Sequence, residues 1–246
     1  MKILFPGLAC LALSTTMSAA AEIRFETGSQ QTALIELYTS EGCSSCPPAE
    51  AWMSRLKDDP GLWKKFVPLA FHVDYWDRLG WRDRFSSKQW TEREGRYASL
   101  WGSDSVYTPA VALNGRELRN WSGTSVFTPN EKTTGLLVAK ATDGKNFTIE
   151  FRPTNGASGN WEAHLALLGA GISSRIGAGE NSGHNLQHDF VVLGLREGAM
   201  ETEGEIRRAR LTIPSVVEAG ARLGVAIWVS ARDQLAPVQA TGGWLP

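Results

Sequence analysis

The sequence predicts an α/β domain followed by a small all-β, sandwich-like domain. Two observations carry this. Up to Gly144, short apolar runs alternate with stretches at helical spacing, while beyond it the apolar residues fall at every second position and Gly, Asn and Ser punctuate the runs. A third observation sets the start of the folded chain. Met1-Lys2-Ile3-Leu4-Phe5, an apolar run from Leu8 to Leu13 and the small residues Ser18-Ala19-Ala20-Ala21 have the pattern of a cleavable secretory signal. The expected division is therefore a signal peptide over 1–20, an α/β domain over 21–144 and a β-rich domain over 145–246. The apolar run falls short of the ~20 residues a membrane span needs. Export, with a periplasmic destination, is the expected localisation, and no membrane insertion is expected after cleavage.

Within the first domain, Ala33 to Ser40 reads as a buried strand, and the Cys43-Ser44-Ser45-Cys46 motif follows at once. Ala49, Trp52, Met53 and Leu56 then share one helix face, which Asp59-Pro60-Gly61 terminates. Val67 to Val73 reads as a second strand. Ser86 with Gln89 resembles a capping box for a helix carrying Trp90, Tyr97 and Leu100. Ala110 to Leu113, entered through Thr108-Pro109 and closed by Asn114-Gly115, reads as the start of a hairpin. Thr128-Pro129-Asn130-Glu131 has an N-cap, a first-turn proline and a box glutamate in order, which predicts a helix to about Thr142. In the β-rich part, strands are expected around Phe147–Phe151, Trp161–Leu167, Phe190–Leu193, Ala209–Ile213 and Val225–Val229.

Charge excludes some functions. With 25 Lys+Arg against 26 Asp+Glu and no long run of one sign, the chain has no electrostatic footprint for nucleic acid or an anionic membrane. The cysteines are more informative. Of three, Cys10 falls in the signal, leaving Cys43 and Cys46. A pair three residues apart closes too small a loop to add much to stability, and a structural zinc site normally needs four ligands. Redox chemistry is the reading that remains, in a compartment where disulfides persist. A thiol at a helix N-terminus meets unpaired N–H groups and the positive dipole end, which favour the thiolate. Cys43 is expected to attack and Cys46 to resolve. This reading requires Cys43 exposed at the helix mouth.

The strand, the Cys-x-x-Cys on a helix and the downstream Thr108-Pro109 resemble the thioredoxin superfamily. More narrowly, Ser40 to Ala49, His72-Val73-Asp74-Tyr75-Trp76-Asp77 and Tyr107-Thr108-Pro109 resemble a family of secreted bacterial thioredoxin-like proteins of unassigned function. The resemblance implies a cis peptide bond before Pro109, placed beside the cysteines, and a Thr108 backbone able to bind an extended substrate strand. Tyr107, Thr108 and Pro109 are thus the expected substrate-binding residues. Glu41 or Asp74 is the expected proton carrier.

The expected function is that of an exported thiol–disulfide oxidoreductase acting on protein or small-molecule thiols, or on a redox partner protein, with no cofactor. Two alternatives stand beside it. One is a non-catalytic binding or assembly module, and the other is delivery of a soft metal such as copper by the Cys43 and Cys46 thiolates. No resident metal site is expected. His184 and His188, near Glu180 and Asn181, have helical ligand spacing, but Gly177, Gly179 and Gly183 make that segment read as a decorated loop. Seven of ten tryptophans lie between Trp52 and Trp121, as core and as lining for a groove.

Overall fold

The structure is a computed structural model and describes residues 22–123, 131–156, 158–215, 218 and 220–246. The expected signal peptide, Cys10 and the Thr128-Pro129-Asn130 cap lie outside the described residues. Among those described, the first half runs β1 (Ile23–Glu26), β2 (Ala33–Thr39), α1 (Pro47–Arg55), β3 (Phe66–His72), α2 (Lys88–Leu100), β4 (Ala110–Leu113), β5 (Arg116–Glu117) and β6 (Gly135–Ala141). The second half adds, besides one 3-10 turn at Thr154–Gly156, the strands β7 (Asn146–Pro153), β8 (Trp161–Ala170), β9 (Ile172–Arg175), β10 (Asn185–His188), β11 (Val191–Ala199), β12 (Glu201–Glu203), β13 (Ile206–Thr212), β14 (Arg222–Ala231) and β15 (Pro237–Trp244). None of the described helices is long and apolar enough to cross a membrane.

This corrects the expected fold class. The chain is mostly β, with 46% strand, 15% helix and two α-helices among the described residues, which does not fit an α/β thioredoxin-like domain followed by a separate sandwich. The reason lies in the sheets. One eight-stranded sheet has the order β15-β14-β8-β11-β3-β2-β4-β5, so strands from both sides of Gly144 share one ladder. Val191 of β11 pairs in parallel with Ala70 of β3 and closes the edge at which a self-contained first domain would end. A second sheet, β1-β6-β7-β13-β12, likewise mixes the two halves, and β9 and β10 form a separate hairpin.

The helix expected up to Thr142 is also corrected, because its described part is the strand β6. Leu137, Ala139 and Ala141 are buried, whereas Leu136 is 43% exposed, which is a period of two. Gly135 sits at φ +131°, and a Cβ there would lie 2.2 Å from the Arg152 carbonyl oxygen. The cap-like residues upstream are a weaker signal than this alternation. Capping of α2 falls one residue later than expected: the N-cap is Ser87, whose hydroxyl accepts from the Gln89 N–H. Leu100, expected on its buried face, is 63% exposed.

Three layers result. Helix α1 lies on the face of the large sheet that carries Thr39 and His72, where Glu50 bonds Thr39, and α2 covers the other face, with Trp90 and Tyr97 packed against Tyr38 and Phe71. The opposite face of β8 and β14 carries Ala163, Leu165, Val225, Ile227 and Val229, which meet Phe147, Ile149 and Phe151 of the smaller sheet. Because both faces are covered, β14 is buried almost end to end. A buried ion pair fastens α2 to the sheet. Arg93 Nε lies 2.7 Å from Glu36 Oε2, while the Tyr97 hydroxyl donates to Glu36 Oε1 at 2.5 Å. The Arg93 guanidinium also stacks over Phe71 and Trp228, which brings β14 into the same cluster. Removing one partner leaves the other charge buried and unpaired. Arg93→Ala is therefore expected to lower stability by about 3–5 kcal/mol, read as a reduced urea midpoint at an unchanged slope.

Candidate functional site

The site forms where β2 and β3 end. Thr39 and His72 are neighbours in the parallel register, so the two strands deliver the chain and a histidine to the same place. After Thr39 the chain turns through Ser40-Glu41-Gly42-Cys43 and enters α1. Pro47 and Pro48 fill the first turn, where missing N–H groups cost little. Cys46 is the N-cap. The helix thus begins at Pro47, one turn later than expected, and Cys43 lies in the turn before it.

Cys43 and Cys46 form a disulfide. Both residues are fully buried, contrary to the expectation that Cys43 is exposed at the helix mouth. Part of the cover comes from the far half of the chain. The Asn181 side-chain amide donates to the carbonyl oxygens of Glu41 at 2.9 Å and Cys43 at 3.0 Å. Glu180 Oε2 accepts from the Ser44 amide at 3.1 Å and hydroxyl at 2.7 Å. The loop that reads as decoration in the sequence is therefore clamped onto the cysteine turn. Nothing local in the sequence announces this, because the contacts span about 140 positions.

Thr108 and Pro109 lie on the other side of the sulfurs, joined by a cis peptide bond. Cys43 Sγ is 3.9 Å from the Thr108 carbonyl oxygen and 3.3 Å from Ser45 Oγ. Trp76 Nε1 donates to the Thr108 hydroxyl at 2.8 Å, and the Trp76 Cβ lies 3.0 Å from where a Cβ on Gly42 would stand. Gly42 is thus required for close packing rather than for a positive φ. Tyr107 is 40% exposed and its hydroxyl donates to Glu117 at 2.6 Å. With Pro109, Leu118 and Trp121 it lines a cleft of about 410 Å³ on the outer side of the cis-proline loop.

Of the two expected proton carriers, only Glu41 belongs to the site. Asp74 instead accepts from the Thr91 hydroxyl at 2.6 Å and faces α2. Glu41 is buried behind the disulfide in a cluster that no local sequence pattern assembles. Its Oε2 accepts from Trp81 Nε1 at 2.7 Å, and its Oε1 stands 3.2 Å from His188 Nε2. His188 Nδ1 lies 2.5 Å from Glu50 Oε2, and Glu50 Oε1 accepts from Thr39 Oγ1 at 2.7 Å. His72 Nδ1 lies 2.7 Å from Asp83 Oδ2, which also accepts from the Glu41 amide. Burial pulls the His188 imidazole toward neutrality, but its hydrogen bonds to Glu41 and Glu50 outweigh that and push it up to about 10. Burial likewise opposes ionisation of Glu41, and the His188 contact overcomes it, holding the carboxyl below its ordinary range.

A fully enclosed disulfide on a buried carboxylate–histidine cluster, beside a cis-proline loop and an open cleft, defines a mostly β protein whose candidate site is centred on sulfur. Residues 34–230 match the family described as protein of unknown function, DUF1223, and the chain belongs to that family. With the mostly β fold, this corrects the resemblance to the thioredoxin superfamily. A crystal structure of a protein from Agrobacterium tumefaciens is similar, with 22% identity, a TM-score of 0.63, and 89% of this chain and 96% of that one covered. The structure of HBP35 of Porphyromonas gingivalis is similar at 12% identity and a TM-score of 0.56, over 89% of this chain and 76% of that one. At these identities the likeness concerns the fold alone. No curated protein matches the sequence.

The loop that presents Thr108 and Pro109 is anchored by Glu94 of α2, whose Oε1 accepts from the Tyr107 amide at 3.1 Å. Burial pushes the Glu94 carboxyl up from 4.5 to about 8, partly offset by that amide and by Tyr75. A carboxyl raised in the folded state contributes stability below its ordinary value and loses it as pH rises through the folded one. Unfolding free energy is thus expected to fall between about pH 4.5 and 8, and Glu94→Gln to flatten that slope. Urea midpoints across this pH range, compared for the two proteins, give the check.

Proposed function

We propose that the chain is an exported, periplasmic thiol–disulfide oxidoreductase that acts on protein or small-molecule thiols through Cys43 and Cys46, with the Glu180–Asn181 loop as a cover. The observation that carries the reading is the joint placement of the disulfide, the Thr108 carbonyl 3.9 Å from Cys43 and the open cleft beside Pro109. A stability role accounts poorly for so small a loop, or for the buried carboxylates behind it.

In the oxidising direction, a substrate thiolate attacks Cys43 Sγ, the Cys43–Cys46 bond breaks, and Cys46 leaves as a thiolate. A second substrate thiolate then attacks the mixed disulfide, Cys43 leaves, and the substrate has lost two electrons that the cysteine pair has gained. The reverse sequence reduces a substrate disulfide. The exposed Cys43 that this chemistry requires is not met in the state described, where Cys43 is closed off, so either direction requires the cover to open. That burial favours a second reading, in which the disulfide is static and the chain is a binding scaffold.

Insulin reduction and the refolding of a scrambled disulfide substrate separate the two. The oxidoreductase reading predicts turnover above that of free thiol alone, abolished in Cys43→Ser. Glu180→Ala, which releases the exposed bonds to Ser44, is expected to speed reduction of the disulfide by dithiothreitol severalfold. If the wild-type chain stays at background with both thiols demonstrably free, the scaffold reading stands instead.

A further inference from the structure

Three buried atoms of the cluster make no hydrogen bond of good geometry: His188 Nε2 and Glu41 Oε1, which face each other at 3.2 Å, and His72 Nε2, which faces no described partner. His72 is fully buried, its Nδ1 is engaged by Asp83, and its Nε2 has no partner among the described residues. A buried ring nitrogen without a partner is costly, which makes it a candidate to meet a ligand. What surrounds it identifies the ligand's class. One donor atom from each of Glu50, His72 and His188 lies within 4.8 Å of the others, and all three side chains are buried.

From this geometry we propose a second site in the molecule, distinct from the sulfurs: a buried two-imidazole, one-carboxylate centre for a divalent transition-metal ion of the zinc class, held by Glu50, His72 and His188. The outer contacts are those such a centre uses. Each imidazole has its other nitrogen directed at a carboxylate, His72 Nδ1 at Asp83 at 2.7 Å and His188 Nε2 at Glu41 at 3.2 Å. These partners fix the ring orientations and tautomers, the usual second layer around metal-bound histidine. His188 then offers Nδ1 on the side where it meets Glu50. The third residue, Glu50, is itself oriented by the Thr39 hydroxyl.

Imidazole and carboxylate favour zinc and its neighbours over calcium or magnesium, which want more oxygen donors than three residues supply. Donor atoms 2.0–2.2 Å from zinc stand roughly 3–3.6 Å from one another. The group must therefore open slightly between His188 and Glu50 and close slightly toward His72, both within the reach of side-chain adjustment. Three carboxylates against two imidazoles also leave an excess of acid in the cluster, which suits a cation. The cysteines play no part in the centre, so the proposal is independent of the redox reading.

The test uses the full chain in its oxidised form, shown by alkylation to have no free thiol, stripped by chelator and titrated with Co²⁺ under optical absorption. One equivalent is expected to bind, without a thiolate charge-transfer band and displaceable by Zn²⁺. Glu50→Gln and His72→Gln should each weaken Co²⁺ binding on the order of tenfold or more, as should Asp83→Asn by its effect on His72. His184→Ala, on the exposed part of the adjoining loop, should leave binding unchanged. Should the buried variants fail to fold, X-ray absorption at the zinc edge of the wild-type protein decides, with two imidazoles and no sulfur expected in the first shell. The proposal is overturned by the absence of a saturable equivalent in folded, oxidised wild type. Undiminished affinity in a folded Glu50→Gln chain, or sulfur in the zinc shell, also overturns it.

Discussion

The structure around the cysteines depends on keeping Glu41, Glu50, Asp83, His72 and His188 inside the protein together. Taking such charges out of water carries a penalty of several kcal/mol for each ion unless geometry compensates. Compensation here is collective: every carboxylate has a histidine within 3.2 Å, and backbone amides and the Thr39 and Trp81 side chains take up further lone pairs. The cluster also determines how the chain is assembled. Glu41 and Glu50 come from the turn and helix after β2, His72 from the end of β3, and His188 from β10, so it cannot form until the second half of the chain has docked.

That docking is made possible by the large sheet. Strand β11 pairs with β3 and carries the β9–β10 hairpin with it, which sets His188 under α1 and the Glu180–Asn181 loop over the cysteine turn. A hairpin from one half therefore supplies the cover, part of the buried charge and a neighbour for the strand edge at once. On the opposite flank, the Thr108–Pro109 loop is held by Trp76 and Glu94 and leaves a cleft open to solvent. The sulfurs are consequently enclosed, while the flank formed by Tyr107 and Pro109 faces an open cleft.

Local pattern makes much of this legible. The strand after Ala33, the helix after the prolines at 47 and 48, the Asn114-Gly115 hairpin and the period-two strands after Gly144 all follow from side-chain spacing and turn chemistry. Cys43, Cys46, Thr108 and Pro109 stand out by residue type and spacing alone, and they lie together in the fold. The failures share a cause. The helix expected near Thr142 rests on capping residues, but Leu137, Ala139 and Ala141 need a sheet to bury against, and β1 and β7 provide it. The division at Gly144 follows a change in texture that sheet pairing ignores.

By itself, then, the sequence determined the strand after Ala33, the helix after Pro48 and the alternating strands after Gly144, and that two cysteines sit at a strand-to-helix turn, because those properties depend on residues within a few positions of one another. Only the tertiary structure decided that the sulfurs are enclosed, that Glu41 rather than Asp74 lies behind them, and that His72 and His188 share one buried cluster. Those outcomes depend on contacts across 100 residues or more, between polar side chains whose burial is favourable only when all the partners arrive together.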